Sequence, residues 1–252
     1  MVLRRELWGE SYVESAPAWP CPSCADGRLR LIPESVQQHA SKAFRVSWDL
    51  GAAADDDEEG SFTAHFNCIS CDEWVAVAGT YRAESVEWIN RDEYRVRMRF
   101  APRAIVPPPP LIELPDSLPP PVADSIAKAF LLFWSDLEAC ANRIRSSVEL
   151  ILTRIGIPRT RVVTKKGTGT KKRERLRLHT RIERLEASRP ELAQTLLAIK
   201  WIGNEGSHET TGREAVLDAF EILEHAVEMI WGRRQERVRS IVRVVNRRKR
   251  PR

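Results

Sequence analysis

The chain has no long apolar run. Its longest uninterrupted apolar stretches, such as AFLLFW at 129–134, fall far below the ~20 residues that a membrane-spanning helix needs, which excludes a span of that kind. The first residues, MVLRRELWGESYVESAPAW, carry two arginines but no apolar segment behind them, so a secretory signal is not expected. The expected location is cytoplasmic. Thiols stay reduced there, and a disulfide framework is not expected either. The sequence also lacks a glycine-rich nucleotide loop and a pair of catalytic carboxylates, the usual apparatus of a small-molecule enzyme.

What the chain does have divides in two. Its 252 residues give room for two small domains. Residues 1–120 hold 12 Lys or Arg against 19 Asp or Glu, a net of −7. Residues 121–252 hold 28 against 16, a net of +12. An acidic first half and a basic second half imply two units with different surfaces.

Four of the five cysteines form a pattern. Cys21-Pro-Ser-Cys24 and Cys68-Ile-Ser-Cys71 are two CxxC knuckles with 43 residues between them. Two-residue spacing lets both sulfurs of a pair reach one ion, and two pairs supply the four corners of a tetrahedron. In a cytosolic chain this predicts a zinc ribbon, though the gap exceeds the usual ~15–20 residues. Four thiolates leave no open position on the metal, so the one expected Zn²⁺ is structural. His65, three residues before Cys68, is read as a packing or surface residue, and Cys140 as a small buried hydrophobe in a helix.

The residues around the knuckles explain the long gap. GRLRLIP (27–33), FRVSWDL (44–50), SFTAHFNC (61–68) and EWVAVAGTYR (73–82) alternate apolar and polar positions and are rich in β-branched and aromatic residues, so they are predicted strands. GAAADDDEEG (51–60) reads as an acidic loop. EYRVRMRF (93–100) is a half-exposed strand, and its arginines at 95, 97 and 99 read as a solvated face.

VPPPPLIELPDSLPPP (106–121) holds eight prolines. Each removes an amide donor and fixes φ, so the segment is predicted to run as a semi-rigid extended linker pinned along a surface. Beyond it the apolar period changes from 2 to 3.6. Helices are predicted from Val122, over 136–157, over 176–188, over 190–202 and from Arg213, with Thr211 and Glu214 forming a capping box. The cationic stretch 159–175 is predicted to be a mobile loop, and the last helix to fray into a basic tail. His179 and His225 read as surface or core-edge residues, Trp201 and Trp231 as core anchors. The organisation expected is a β-rich zinc-ribbon domain over 1–105, a proline-rich linker over 106–121, an all-α bundle of four or five helices over 122–235, and a basic helix or tail over 236–252. The fold class is α+β.

The segments FWSDLEACANRIRSSVELIL, LHTRIERL, LAIKWIGNEGSHE and AVLDAFEILEHAVEMIWGRR occur in that order. Over roughly residues 120–233 the chain resembles the Domain of Unknown Function 4145 family. The resemblance implies a HEPN-like helical bundle, related to dimeric ribonucleases of bacterial defence, and a homodimer formed through the helical domain. HEPN nucleases carry Arg-x-x-x-x-His. In the window 203–208 of this chain His208 and Asn204 fit that pattern, and Gly203 stands at the arginine position. The resemblance thus makes His208 and Asn204 the candidate catalytic residues. Arg143, Arg145 or Lys200 would be the cations able to approach that turn.

The reading that follows is a zinc-ribbon, HEPN-like protein associated with RNA or DNA, non-catalytic, in bacterial defence. Lysine and arginine would meet phosphate: Arg143, Arg145 and Lys200 on the helices, Lys165, Lys166, Lys171, Lys172 and Arg173 in the loop, and Arg247, Arg248, Lys249 and Arg250 in the tail. Two alternatives stay open at this point. One is a metal-independent endoribonuclease using His208 as the proton carrier. The other is a non-enzymatic dimeric scaffold with protein partners in a defence or restriction system.

Overall fold

A computed structural model describes residues 3–13, 15–89, 94–164, 170–205, 211–232 and 234–248, with the side chains of 203–205, 234–236 and 239 excepted. The fold is mixed α and β, an antiparallel sheet followed by helices. Among the described residues no helix is long and apolar enough to cross a membrane. The chain divides into two compact units. One comprises Val2–Leu111 with Phe130–Leu137, and the other Ile112–Ala129 with Glu138–Arg252 and Met1.

The first unit is built on six antiparallel strands, β1 (Tyr12–Val13), β2 (Leu29–Leu31), β3 (Gln37–Ala40), β4 (Glu59–Cys68), β5 (Trp74–Trp88) and β6 (Tyr94–Val106). The sheet runs β1-β6-β5-β4-β2, and β3 also pairs with β4. Period-2 alternation sets which face is inside. Phe62, Ala64, Phe66 and Cys68 of β4 are buried, while Ser61, Thr63 and His65 are exposed. Val75, Val77 and Tyr81 of β5 and Ile105 of β6 join the buried face. Trp8 and Trp19 close this core against Trp134, with ring centroids 6.1 and 5.4 Å away, and the Trp19 indole N–H donates to the Leu7 carbonyl at 2.8 Å.

One predicted strand is a helix. FRVSWDL lies within and just beyond α1 (Lys42–Asp49). Ser41 accepts the Phe44 amide at 3.0 Å, an N-cap that alternation alone does not reveal. Phe44 and Trp48 then share one helical face, 5.7 Å apart.

The proline segment also differs from expectation at its end. Pro120 and Pro121 open α2 (Pro120–Ser135). A helix's first amides have no intrahelical partner, so prolines are tolerated there. The stretch before them is no free rod. Leu111, Ile112 and Leu118 are buried. The Glu113 amide donates to the Glu224 carboxylate at 2.9 Å, and the Ser117 hydroxyl donates to the Trp231 carbonyl at 2.6 Å.

The second unit continues with α3 (Leu137–Arg154), a hairpin of β7 (Thr160–Thr164) and β8 (Lys171–Arg175), α4 (Leu178–Glu186), α5 (Pro190–Glu205), α6 (Arg213–Trp231) and α7 (Arg234–Arg248). Among the described residues α2 to α6 are five helices, in line with the four or five predicted for the bundle, and α7 runs through the segment expected to be a basic helix or tail. Ile144, Val148, Ile151 and Leu152 of α3 are fully buried, the stripe that the 3.6 period predicts. Cys140 is buried as expected, its thiol donating to the Ala129 carbonyl at 3.2 Å. Gly156 follows α3 with φ +89°, a conformation that favours glycine.

Three further expectations are corrected here. Within the cationic stretch 159–175, expected to be a mobile loop, Thr160–Thr164 pairs with Lys171–Arg175 as two antiparallel strands, Thr160 opposite Arg175, while 165–169 lie outside the described residues. The N-cap of α6 is Gly212, without a side-chain cap, so Thr211 and Glu214 form no capping box. Trp201 is no core anchor. It is 53% exposed, with the Lys200 ammonium 3.5 Å above its ring.

Candidate metal centre

The two knuckles meet because of strand register. β2 pairs with β4 so that Leu29 stands opposite Cys68, which sets the turn after Cys24 beside the turn after Cys68. Each knuckle is wound around its own sulfur. The Ser23 amide donates to the Cys21 Sγ at 3.3 Å, and the Ser70 amide to the Cys68 Sγ at 3.4 Å. Backbone closes the first turn, where the Cys21 amide donates to the Gly27 carbonyl at 3.1 Å. It closes the second by Cys68 N–H to the Glu73 carbonyl at 2.9 Å and Asp72 N–H to the Cys68 carbonyl at 3.1 Å. Asp72 sits at φ +58°, and its carboxylate accepts the Asn67 side-chain amide at 3.1 Å. The Ser23 hydroxyl donates to the Glu73 carboxylate and so ties one knuckle to the other.

The four sulfurs lie within 4.8 Å of one another and are close enough to hold a metal ion. Cys21 and Cys71 approach to 3.7 Å, Cys24 and Cys68 to 3.6 Å. Cys21 and Cys68 are buried, Cys24 is half-buried and Cys71 is exposed. The backbone at Gly27 presses against this cluster, so that any Cβ there would overlap the Cys68 and Cys24 sulfurs. Such a cradle is the fit expected of a residue set folded around an ion.

The electrostatics of the thiols agree. Hydrogen bonding to Cys71, with burial, pushes the Cys24 thiol up to about 12, and burial raises Cys21 as well. Burial acts to raise Cys68 too, but the Ser70 and Cys71 amides and the thiols of Cys21 and Cys24 outweigh it and hold Cys68 down to about 6. Without a cation, negative charge is favoured on Cys68 while Cys21 and Cys24 hold their protons. A metal ion supplies the charge that lets all four ionise.

The other candidate residues are dispersed along the second unit. Arg143 and Arg145 flank buried Ile144 on α3 and are half-buried. Lys200 lies on α5 over Trp201. Lys171, Lys172 and Arg173 are exposed on β8, and Arg247 and Arg248 are exposed in the last turn of α7. Asn204 falls in the final turn of α5, its side chain outside the described residues. His208, Lys165, Lys166, Lys249 and Arg250 lie wholly outside them. His65 points away from the sulfurs' chemistry: it is exposed, its ring 6.1 Å from that of Trp74.

Sequence reasoning did not find Gly27 or Asp72. The usable signal for Gly27 was a glycine three residues after the second cysteine of a knuckle. For Asp72 it was an aspartate following Cys71, since aspartate tolerates left-handed backbone.

Two family models match the chain. Residues 127–248 match the family described as Domain of unknown function (DUF4145), the family that the helical motifs resemble. Residues 11–103 match a second, described as Domain of unknown function (DUF8608). No curated protein and no solved structure matches the chain.

Proposed function

We propose that the chain is a non-catalytic nucleic-acid-binding protein in which a zinc-held β unit accompanies a HEPN-like helical unit with a cationic ribbon. The observation that carries this reading is the β7–β8 hairpin, all ten of whose strand residues are exposed. Cross-strand register sorts its charges. Arg161 and Glu174 stand opposite each other and form an ion pair at 2.8 Å on one face. The alternate face carries Lys171, Arg173 and Arg175 opposite Thr164, Val162 and Thr160, with no acid from either strand. A two-stranded ribbon is of a width that the major groove of a duplex admits, and lysine and arginine supply the phosphate contacts that dominate affinity.

Zinc fits the sulfur cluster. A tetrahedral Zn²⁺ with bonds of about 2.3 Å has sulfur–sulfur edges of about 3.8 Å, close to the 3.6 and 3.7 Å separations here. Its role would be to hold the turns at the ends of β2 and β4, since four thiolates close its coordination shell.

The test is binding of labelled duplex DNA, single-stranded DNA and RNA followed by fluorescence anisotropy across a salt series. The expected result is affinity that falls steeply with salt. Replacing Lys171 and Arg173 by alanine is expected to weaken all sequences alike and to flatten the log–log salt slope by about 2. Absence of salt-sensitive binding removes the reading. RNA cleavage abolished by His208→Ala would replace it with the endonuclease.

A further inference from the structure

Two apolar surfaces of the chain stand uncovered, and they carry opposite charge. The first lies on the sheet unit, at the end of β4 and β5 away from the cysteines. None of α1 is buried. Val46 is 48% exposed, Trp48 47%, and Leu50 just beyond the helix 76%. At the same end the β5–β6 hairpin presents Trp88, Ile89 and Tyr94, with the Trp88 ring 5.3 Å from that of Tyr94. The acidic segment between α1 and β4 is fastened beside this hairpin. The Tyr94 hydroxyl donates to the Asp55 carboxylate, the Tyr81 hydroxyl donates to Glu58 at 2.7 Å, and the Ala83 amide donates to the Glu58 carbonyl at 2.6 Å. Residues 42–59 hold two basic and six acidic side chains, a net of −4.

The second surface is α7. Val238, Ile241, Val242 and Val245 recur at three- and four-residue steps and form one stripe. The first three are 50%, 38% and 50% exposed. Six arginines and one glutamate over Arg234–Arg248 give the helix a net of +5. Valine and isoleucine are indifferent helix formers. A fifteen-residue helix built on them takes its stability from a surface that its apolar stripe can cover.

We infer that α7 of one copy of this chain seats its valine–isoleucine stripe on the acidic, aromatic end of the sheet unit of a second copy. Charge decides the occupant. Phosphate or an anionic lipid surface would take the arginines of α7 but would be repelled by the acidic segment, whereas each of these two surfaces supplies what the other lacks. The geometry is that of an amphipathic helix laid on an apolar surface, with anchors at i, i+3, i+4 and i+7. Exposed tryptophans are the side chains that carry most energy in such contacts. Two copies that each give α7 and each receive it close into a two-fold pair, so the contact need not run on into a filament.

Sedimentation velocity of the nuclease-treated full chain at low salt tests this. The wild type is expected to associate, and to dissociate as salt rises. Val242→Glu and Trp48→Ala are each expected to raise the dissociation constant by about tenfold or more. Asp49 and Asp56 are exposed, as are Arg237 and Arg248, so reversing them leaves each unit folded, with far-ultraviolet circular dichroism as the check. Asp49→Lys with Asp56→Lys, or Arg237→Glu with Arg248→Glu, weakens association, and all four together restore it. A monomer under every condition, association indifferent to Val242→Glu, or failure of the four-fold reversal to restore pairing overturns the inference. So does recruitment of α7 to anionic vesicles or duplex DNA without self-association.

Discussion

Gly27 has no side chain, and the sulfur cluster depends on that. In Gly27→Ala the new methyl overlaps the sulfurs of Cys24 and Cys68, and the knuckles must part to admit it. Metal analysis of the purified variant is expected to find less than about half an equivalent, against about one for the wild type. Arg181 is a different case, a buried cation on the apolar stripe of α4. It is 1% exposed and donates to the Glu149 and Ile157 carbonyls and the Thr153 hydroxyl at 2.9 to 3.0 Å. Burial depresses its pKa, and nearby Glu149 opposes the shift. Its guanidinium supplies the Ile157 carbonyl, which lies just beyond α3, and adds a donor to the Glu149 carbonyl, which also accepts the Thr153 hydroxyl at 2.8 Å. Arg181→Met removes these donors and leaves the part-buried Ile157 carbonyl without its side-chain partner, which is expected to cost about 1–3 kcal/mol in urea unfolding. Glu224 sets a pH dependence. Burial raises its carboxyl above the ordinary glutamate value, against the Glu113 amide that bonds it. The folded chain therefore holds this proton more tightly than the unfolded chain does. Its contribution to stability is present below the ordinary value of about 4.3 and is lost as pH rises through the raised one. Glu224→Gln is expected to match the wild type at the acid end and to exceed it near neutrality, as read by urea midpoints across that range.

At the scale of elements, α1 shows where local signals compete. Phe44, Val46, Trp48 and Leu50 alternate as a strand would. The same residues also place Phe44 and Trp48 four apart, and Ser41 tips the balance by capping the first turn. With no buried residue in α1, this cap is a main local support. Ser41→Ala is expected to cost about 1 kcal/mol locally and to speed amide exchange in α1 about fivefold, as read by hydrogen-exchange mass spectrometry. β4 was legible because its buried positions at 62, 64 and 66 obey one period without a competing cap. α3 was legible for the same reason, at the helical period. The β7–β8 hairpin was not, because ten exposed residues carry no inside–outside pattern and a run of charge reads as solvated chain. Pro120 and Pro121 misled because proline excludes helix interiors, not helix beginnings. In the candidate centre the four cysteines were legible from spacing alone. The glycine that makes room for them depends on the two knuckles closing around it, Cys21 and Cys24 from one and Cys68 from the other.

At the scale of the whole molecule, the candidate metal centre belongs to one unit only. It joins residues 21 and 24 to residues 68 and 71, all within Val2–Leu111. Chelation is expected to lower the midpoint of the tryptophan-fluorescence transition by about 10 °C or more. The helical unit, whose buried residues make no use of the thiols, is expected to keep its ellipticity at 222 nm until a later step. One coincident transition, unmoved by chelator, would contradict this division. The sheet unit has one further dependence. Its tryptophans at 8 and 19 are covered by Phe133 and Trp134, which follow the whole sheet in the chain. A ribosome delivers the strands and all four cysteines well before it delivers that lid. Two indole surfaces thus wait, wetted, through the synthesis of the proline stretch. A nascent chain stalled near residue 111 is the form of this protein that a holding chaperone would meet.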